Sequence, residues 1–244
     1  MTATSETQPI ETTFFQFVDF LRTHLNDVVY AEGGGISPEF PDFDLRPQDY
    51  LDYANSALAD PSDANRINCI AHLKRAVECE ADTFFHILKL RRRMNFPQKL
   101  EAIERLDLMP ARSIVQLNRV RNKVEHEYAV PEIDDLSVYF DLVAGFVAAI
   151  EGAIFMLAAS GEMLWYPEEY SSHLQLSLGV KYSPDDTSVI AEMFNAGKCL
   201  NYIVTADNWD EFLDSLRLLF LLIRGAFIVS SENIISHLPS TDAT

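Results

Sequence analysis

Three cysteines in 244 residues are too few for a disulfide framework, and Cys69, Cys79 and Cys199 lack metal-like spacing. They read as small buried hydrophobes in a reducing compartment. No apolar run stays unbroken for the roughly 20 residues a bilayer span needs. Asp141 and Glu151 interrupt one apolar segment, and Arg217 and Arg224 interrupt another. The opening stretch MTATSETQPIETT has neither the basic nor the apolar part of a signal peptide. These absences predict a cytoplasmic protein that enters no membrane. Basic residues are also scarce. Nineteen Lys and Arg face 37 Asp and Glu, giving a formal charge of −18 and a pI near 4.6, which excludes indiscriminate binding to nucleic acid or anionic lipid. The scarcity is uneven: from Lys89 to Lys123 ten basic residues meet three acidic ones, while the remainder holds nine basic and thirty-four acidic. One basic stretch therefore stands in an acidic body, either as a solvated helix face or as a polyanion-binding patch.

What the chain does have is apolar content, at 48% of residues, enough for a sizeable core. Phe14, Phe17, Val18, Leu21, Leu25 and Val28 recur every three or four residues, which predicts a helix. Three glycines and two prolines in AEGGGISPEFPDFDLR predict a loop. The glycines are no phosphate-binding fingerprint, because no strand precedes them and no Gly-Lys-Ser/Thr ending follows. A short helix follows from about Pro47. Asp60 as N-cap and Pro61 at the first helical position then open a long helix with Ile70, Leu73, Val77, Phe84 and Leu88 on its apolar stripe. Pro97 and Pro110 each permit a restart, and a long buried helix ends at Gly161. Beyond it the period falls to two in HLQLSLGV, with weaker strands in TSVIAEMF and CLNYIVT and a last helix from about Asp207 to His237. The pattern predicts a mainly α protein: a helical domain over residues 1–160, then an α+β extension over 161–244 made of a small antiparallel β-meander and a helix.

The chemistry concentrates in RNKVEHEY, residues 121–128. With Leu117 as the core direction of its helix, Asn122 falls about 140° away and His126 about 180° away. Asn118, Asn122 and His126 thus form a polar row turned from the helix's own core, idle in solvent or presented to a partner. His-Glu without a second histidine four residues on excludes a zinc protease helix, and no Gly-x-Ser-x-Gly elbow is present. His72 and His86 stand fourteen residues apart, too far for one metal site. No metal and no cofactor is expected. A histidine with an unperturbed pKa near 6.5 exchanges protons at neutral pH, and an arginine holds a phosphate and stabilises charge growing on it. The pair suffices for phosphodiester transfer on RNA, where the 2′-OH is the nucleophile. The alternative is an ion pair of Arg121 with Glu125 one turn on, leaving Asn122 and His126 as exposed helix polars.

With these residues the segment resembles the signature of the HEPN superfamily (higher eukaryotes and prokaryotes nucleotide-binding). Arg121 and Asn122 match its opening, four residues separate Arg121 from His126, and Tyr128 completes the Arg-x4-His-x-Tyr variant of HEPN toxins. CIAHLKRAVECEADTFFHIL resembles the long helix that precedes the motif. The resemblance covers about residues 10–160 and implies a HEPN-like helical bundle. It also implies a metal-independent endoribonuclease working as a homodimer on an RNA substrate, leaving 2′,3′-cyclic phosphate and 5′-hydroxyl ends, in defence or toxin–antitoxin systems. Carried over, Arg121 would orient the scissile phosphate, His126 would act as general acid or base, and Asn122 would position the pair. Tyr128 would be a control point, modified in some HEPN toxins by a partner nucleotidyltransferase that serves as antitoxin. Many HEPN domains instead serve as non-catalytic dimerisation or adaptor modules that bind a protein or nucleotide partner.

Overall fold

A computed structural model of the protein describes residues 9–60, 62–110, 116, 119, 122–123, 126, 130, 132–168 and 176–238. Its contacts divide into two compact units, Met1–Ser37 with Met156–Thr244, and Pro38–Phe155. The expected division at residue 160 follows the chain in order, whereas this grouping joins its two ends.

The two-ended unit is built on a six-stranded sheet of order β1-β6-β5-β4-β3-β2. Its strands are β1 (Ile10–Glu11), β2 (Tyr30–Gly34), β3 (Glu162–Tyr166), β4 (Leu176–Ser183), β5 (Ser188–Asn195) and β6 (Lys198–Thr205). β2 to β6 pair antiparallel in the order of the sheet, and β1 alone is parallel to its neighbour β6. Alternation sorts the faces. Met163, Trp165, Leu178, Val180, Tyr182, Val189, Ala191, Met193, Tyr202 and Val204 are buried on one side. α1 (Phe14–His24) and α6 (Trp209–Phe227) belong to this unit, and their Phe17 and Phe212 rings meet Tyr202 and Tyr182 on that face. α1 starts where its sequence allows: Thr13 Oγ1 accepts from the Gln16 amide at 3.3 Å, and the Gln16 side chain accepts from the Thr13 amide at 2.9 Å. The buried Tyr202 hydroxyl is satisfied by Glu211 at 3.0 Å and Ser215 at 2.7 Å, fixing β6 to α6.

The expectation of a mainly α protein, a helical bundle with a small β-meander appended, is corrected by this sheet. It draws strands from both ends of the chain, and the whole is an α/β fold with a substantial mixed sheet. Three strands escape a reading by periodicity for different reasons. β1 has two residues, too few to show a period. β2, YAEGG, carries glycines that signal a loop. Close packing requires one of them, Gly33, and the next residue after the strand, Gly35: a Cβ on Gly33 would sit 2.0 Å from the Glu162 carbonyl oxygen of β3, and one on Gly35 would sit 1.6 Å from that of Ala158. β3 follows the preceding helix at once, with Gly161 the single residue between them. The last helix also departs from expectation, since α6 stops at Phe227 and a separate α7 (Ser231–Ser236) begins after the Ser230 cap.

The second unit is helical throughout its regular elements. It holds α2 (Pro47–Ala59), α3 (Asp63–Ile87), α4 (Phe96–Arg105) and the part of α5 (Ile133–Ser160) up to Phe155. α2 lies along α3, where Tyr53 and His72 bring their rings to 5.4 Å. The cap of α3 is Ser62, whose hydroxyl accepts from the Asn65 amide at 3.3 Å. Asp60 instead closes α2, and Pro61 lies outside the described residues. α4 opens with a reciprocal cap between Asn95 and Gln98. Along α5, Leu136, Tyr139, Val143, Phe146, Val147, Ile150, Ala153, Ile154 and Leu157 form one buried stripe. By length and composition Asp135–Ser160 passes for a membrane span, the one such helix among the described residues, with 39% of its most apolar window buried. The core helix of a soluble domain passes the same test, and Asp141 and Glu151 are exposed on this one.

Candidate functional site

Within the helical unit, residues 116, 119, 122, 123 and 126 have helical backbone. Asn122 and His126, one turn apart, are both exposed. Arg121 and Tyr128, like Asn118, lie outside the described residues. Two further exposed residues, Arg119 and Lys123, join the column. At helical pitch, Arg119 stands within about 20° of His126 and Lys123 within about 60° of it. Sequence reading passed over both because it followed the asparagine–histidine row. Their signal is the same four-residue arithmetic applied to cations. The face therefore combines an imidazole, an amide and two basic side chains.

The charge of Arg119 is felt at Tyr139 of α5. Tyr139 there is buried and its phenol is raised above the ordinary value, by burial first and by Asp135 next, while Arg119 pulls it back down.

The basic stretch before the motif is part structural and part exposed. Lys89, with a positive φ of 48°, turns the chain out of α3 and pairs with Glu39 at 3.3 Å. Lys99 pairs with Asp82. Arg91, Arg92 and Arg93, between α3 and α4, are all exposed.

One ionisable group lies deep inside the same unit. Glu80 on α3 is 2% exposed, and its Oε1 has no hydrogen-bond partner among the described residues. Burial, reinforced by Glu151, pushes its carboxyl up to about 7. It has no sequence signal, because a single carboxylate on a long helix reads as a solvated one.

Other chemistries find little support. Burial pushes the thiols of Cys69 and Cys79 up to about 11 and raises that of Cys199, the opposite of what a thiolate nucleophile needs. Among the described residues no three His, Cys, Asp or Glu side chains converge on a point that could hold a metal ion. His72 is lowered by burial and by Arg75, and it lies against Tyr53. His24 is bonded to Asn195 at 2.9 Å and stands 3.7 Å from Asp27, tying α1 to the β5–β6 hairpin. Compared with known proteins, the chain matches no family model, no curated protein and no solved structure.

Proposed function

We propose that the protein is a metal-independent endoribonuclease of the HEPN type, with its catalytic groups on the helix that carries Arg121, Asn122 and His126. The observation that supports this reading is the exposure of Asn122 and His126 on one helical face. In this reading His126 removes the proton from an RNA 2′-OH or delivers one to the departing 5′-oxygen. Arg121, helped by Arg119 and Lys123, neutralises charge accumulating on the phosphorus-bound oxygens. The 2′-oxygen attacks phosphorus, the P–O5′ bond breaks, and a 2′,3′-cyclic phosphate and a 5′-hydroxyl result. No water and no metal enter that step. A homodimer places a second copy of the motif helix opposite the first, so the acid and the base come from different chains. The setting is the cytoplasm, in a defence or toxin–antitoxin system, with Tyr128 as the point at which a nucleotidyltransferase antitoxin silences the site.

The test is RNA cleavage by the full chain and by two variants. Arg121→Ala and His126→Ala should each lose activity by about 10²–10⁴-fold while keeping the circular dichroism of the wild type. A His126→Ala protein as active as wild type would remove the proposal. Wild-type protein inert on structured and unstructured RNAs alike would favour the non-catalytic adaptor.

A further inference from the structure

Among the described residues the sheet of the two-ended unit has one buried face, and the other is intermediate to exposed. On the other face the register sets Glu32, Leu164, Gly179, Glu192 and Asn201 in one cross-strand row, and Gly34, Glu162, Lys181, Ile190 and Ile203 in the next. Glu32, Glu162 and Glu192 are exposed, and Ile203 is 56% exposed. A hollow of about 550 Å³ opens on this face and begins at the sheet edge, at Glu32, Gly33 and Gly34.

The two edges of the sheet are unequal. β1 is two residues long and follows Pro9, which has no amide hydrogen to offer, so that edge is short and blunted. β2 is five residues long, and every residue except Ala31 is exposed. It contains no proline and no lysine to discourage a further strand. Its central residue, Glu32, limits what that strand can be. A second copy of β2, added antiparallel about a two-fold axis, would place Glu32 opposite Glu32 and close to Glu162, and like charges facing each other destabilise a strand pair. A strand with a basic residue at that position gains from the same arrangement.

We propose that β2 accepts an extended basic segment of a partner protein as a seventh strand. Lysine or arginine residues two apart would stand opposite Glu32 and Gly34. The first meets the Glu32 carboxylate, whose other contact is the Tyr166 hydroxyl at 3.4 Å. The second crosses Gly34, which has no side chain in the way, and reaches Glu162, the direct register partner of Gly34 on β3. Strands lie about 4.8 Å apart, so the incoming backbone stands two spacings from that of Glu162, a gap closed by a lysine and a glutamate side chain end to end. Backbone hydrogen bonds supply affinity, and the two carboxylates supply the preference for a basic sequence. This site uses none of the groups assigned to RNA cleavage and stands or falls separately from that reading.

The test uses fluorescein-labelled heptapeptides of alternating valine and lysine, alternating valine and glutamate, and the valine–lysine sequence N-methylated at alternate residues. Anisotropy on the full wild-type chain should show the lysine peptide binding at least ten-fold more tightly than the glutamate peptide. N-methylation, which removes the donors along one edge, should abolish that binding. The Glu32→Lys, Glu162→Lys double variant, altered at two exposed positions, should reverse the preference between the two charged peptides. Equal binding of the methylated and unmethylated lysine peptides would overturn strand addition. An unchanged preference in the double variant would overturn it too, as would no binding of the lysine peptide at millimolar concentration.

Discussion

Glu80 shows how much a single residue can govern without leaving a mark in the sequence. Periodicity marks the apolar stripe of α3, and Ile70, Leu73, Val77, Phe84 and Leu88 are all buried where that stripe predicts. The same periodicity says nothing of a carboxylate that turns inward, since its depth depends on neighbours far along the chain. Its ordinary value of 4.5 is raised to about 7 in the fold. An unfolded chain ionises this group first, so ionisation favours unfolding as pH climbs from about 4.5, and the penalty is complete above about 7. The shift corresponds to about 3 kcal/mol. Glu80→Gln should therefore stabilise the protein against urea by up to about 3 kcal/mol at pH 8 and hardly at all at pH 4. A stability difference from wild type that is the same at both pH values would show that the carboxyl is not held protonated. At the motif, the row of Asn122 and His126 is visible from spacing alone, while the Arg119 and Lys123 column emerges only once exposure is known.

Among the elements, helices with an apolar period or an opening proline are legible, the exact cap of α3 is not, since Ser62 and not Asp60 holds it, and a glycine-bearing strand is not. Proline in the first turn announces α2 and α4, because it carries no amide to be orphaned there, and apolar spacing announces α1. In and just after β2, Gly33 and Gly35 have the opposite effect: needed for closeness to another backbone, they look like freedom. The close approach gives a sharp contrast between neighbours. A Cβ on Gly35 would lie 1.6 Å from the Ala158 carbonyl oxygen at the end of α5, where the Ile36 amide donates to Leu157, whereas one on Gly34 meets nothing within 4 Å. Gly35→Ala should cost about 3 kcal/mol, the upper end for overpacking, and Gly34→Ala no more than about 0.5 kcal/mol, as at an ordinary surface position. Thermal unfolding of the two variants checks the ordering; equal losses would mean that the chain just after β2 does not press against the end of α5.

At the scale of the whole molecule, charge and topology divide the labour. The net charge of −18 keeps the body of the protein from binding RNA at random, and the cations gather between Lys89 and Lys123 near the groups proposed to act on it. The joining of the two chain ends into one sheet-bearing unit was not legible, because it depends on pairing β1 with β6 across almost two hundred residues and no local pattern encodes that pairing. The helical unit between those ends holds the RNA-cleaving groups in the proposed function, and its central claim is chemical: RNA itself supplies the nucleophile and no metal takes part. The most direct measurement is end-group analysis of RNA cut by the purified wild-type chain in excess EDTA. Products bearing 2′,3′-cyclic phosphate and 5′-hydroxyl ends, formed as fast as without EDTA and absent with His126→Ala, are the predicted result. Products with 3′-hydroxyl and 5′-phosphate ends, or cleavage abolished by the chelator, would contradict it.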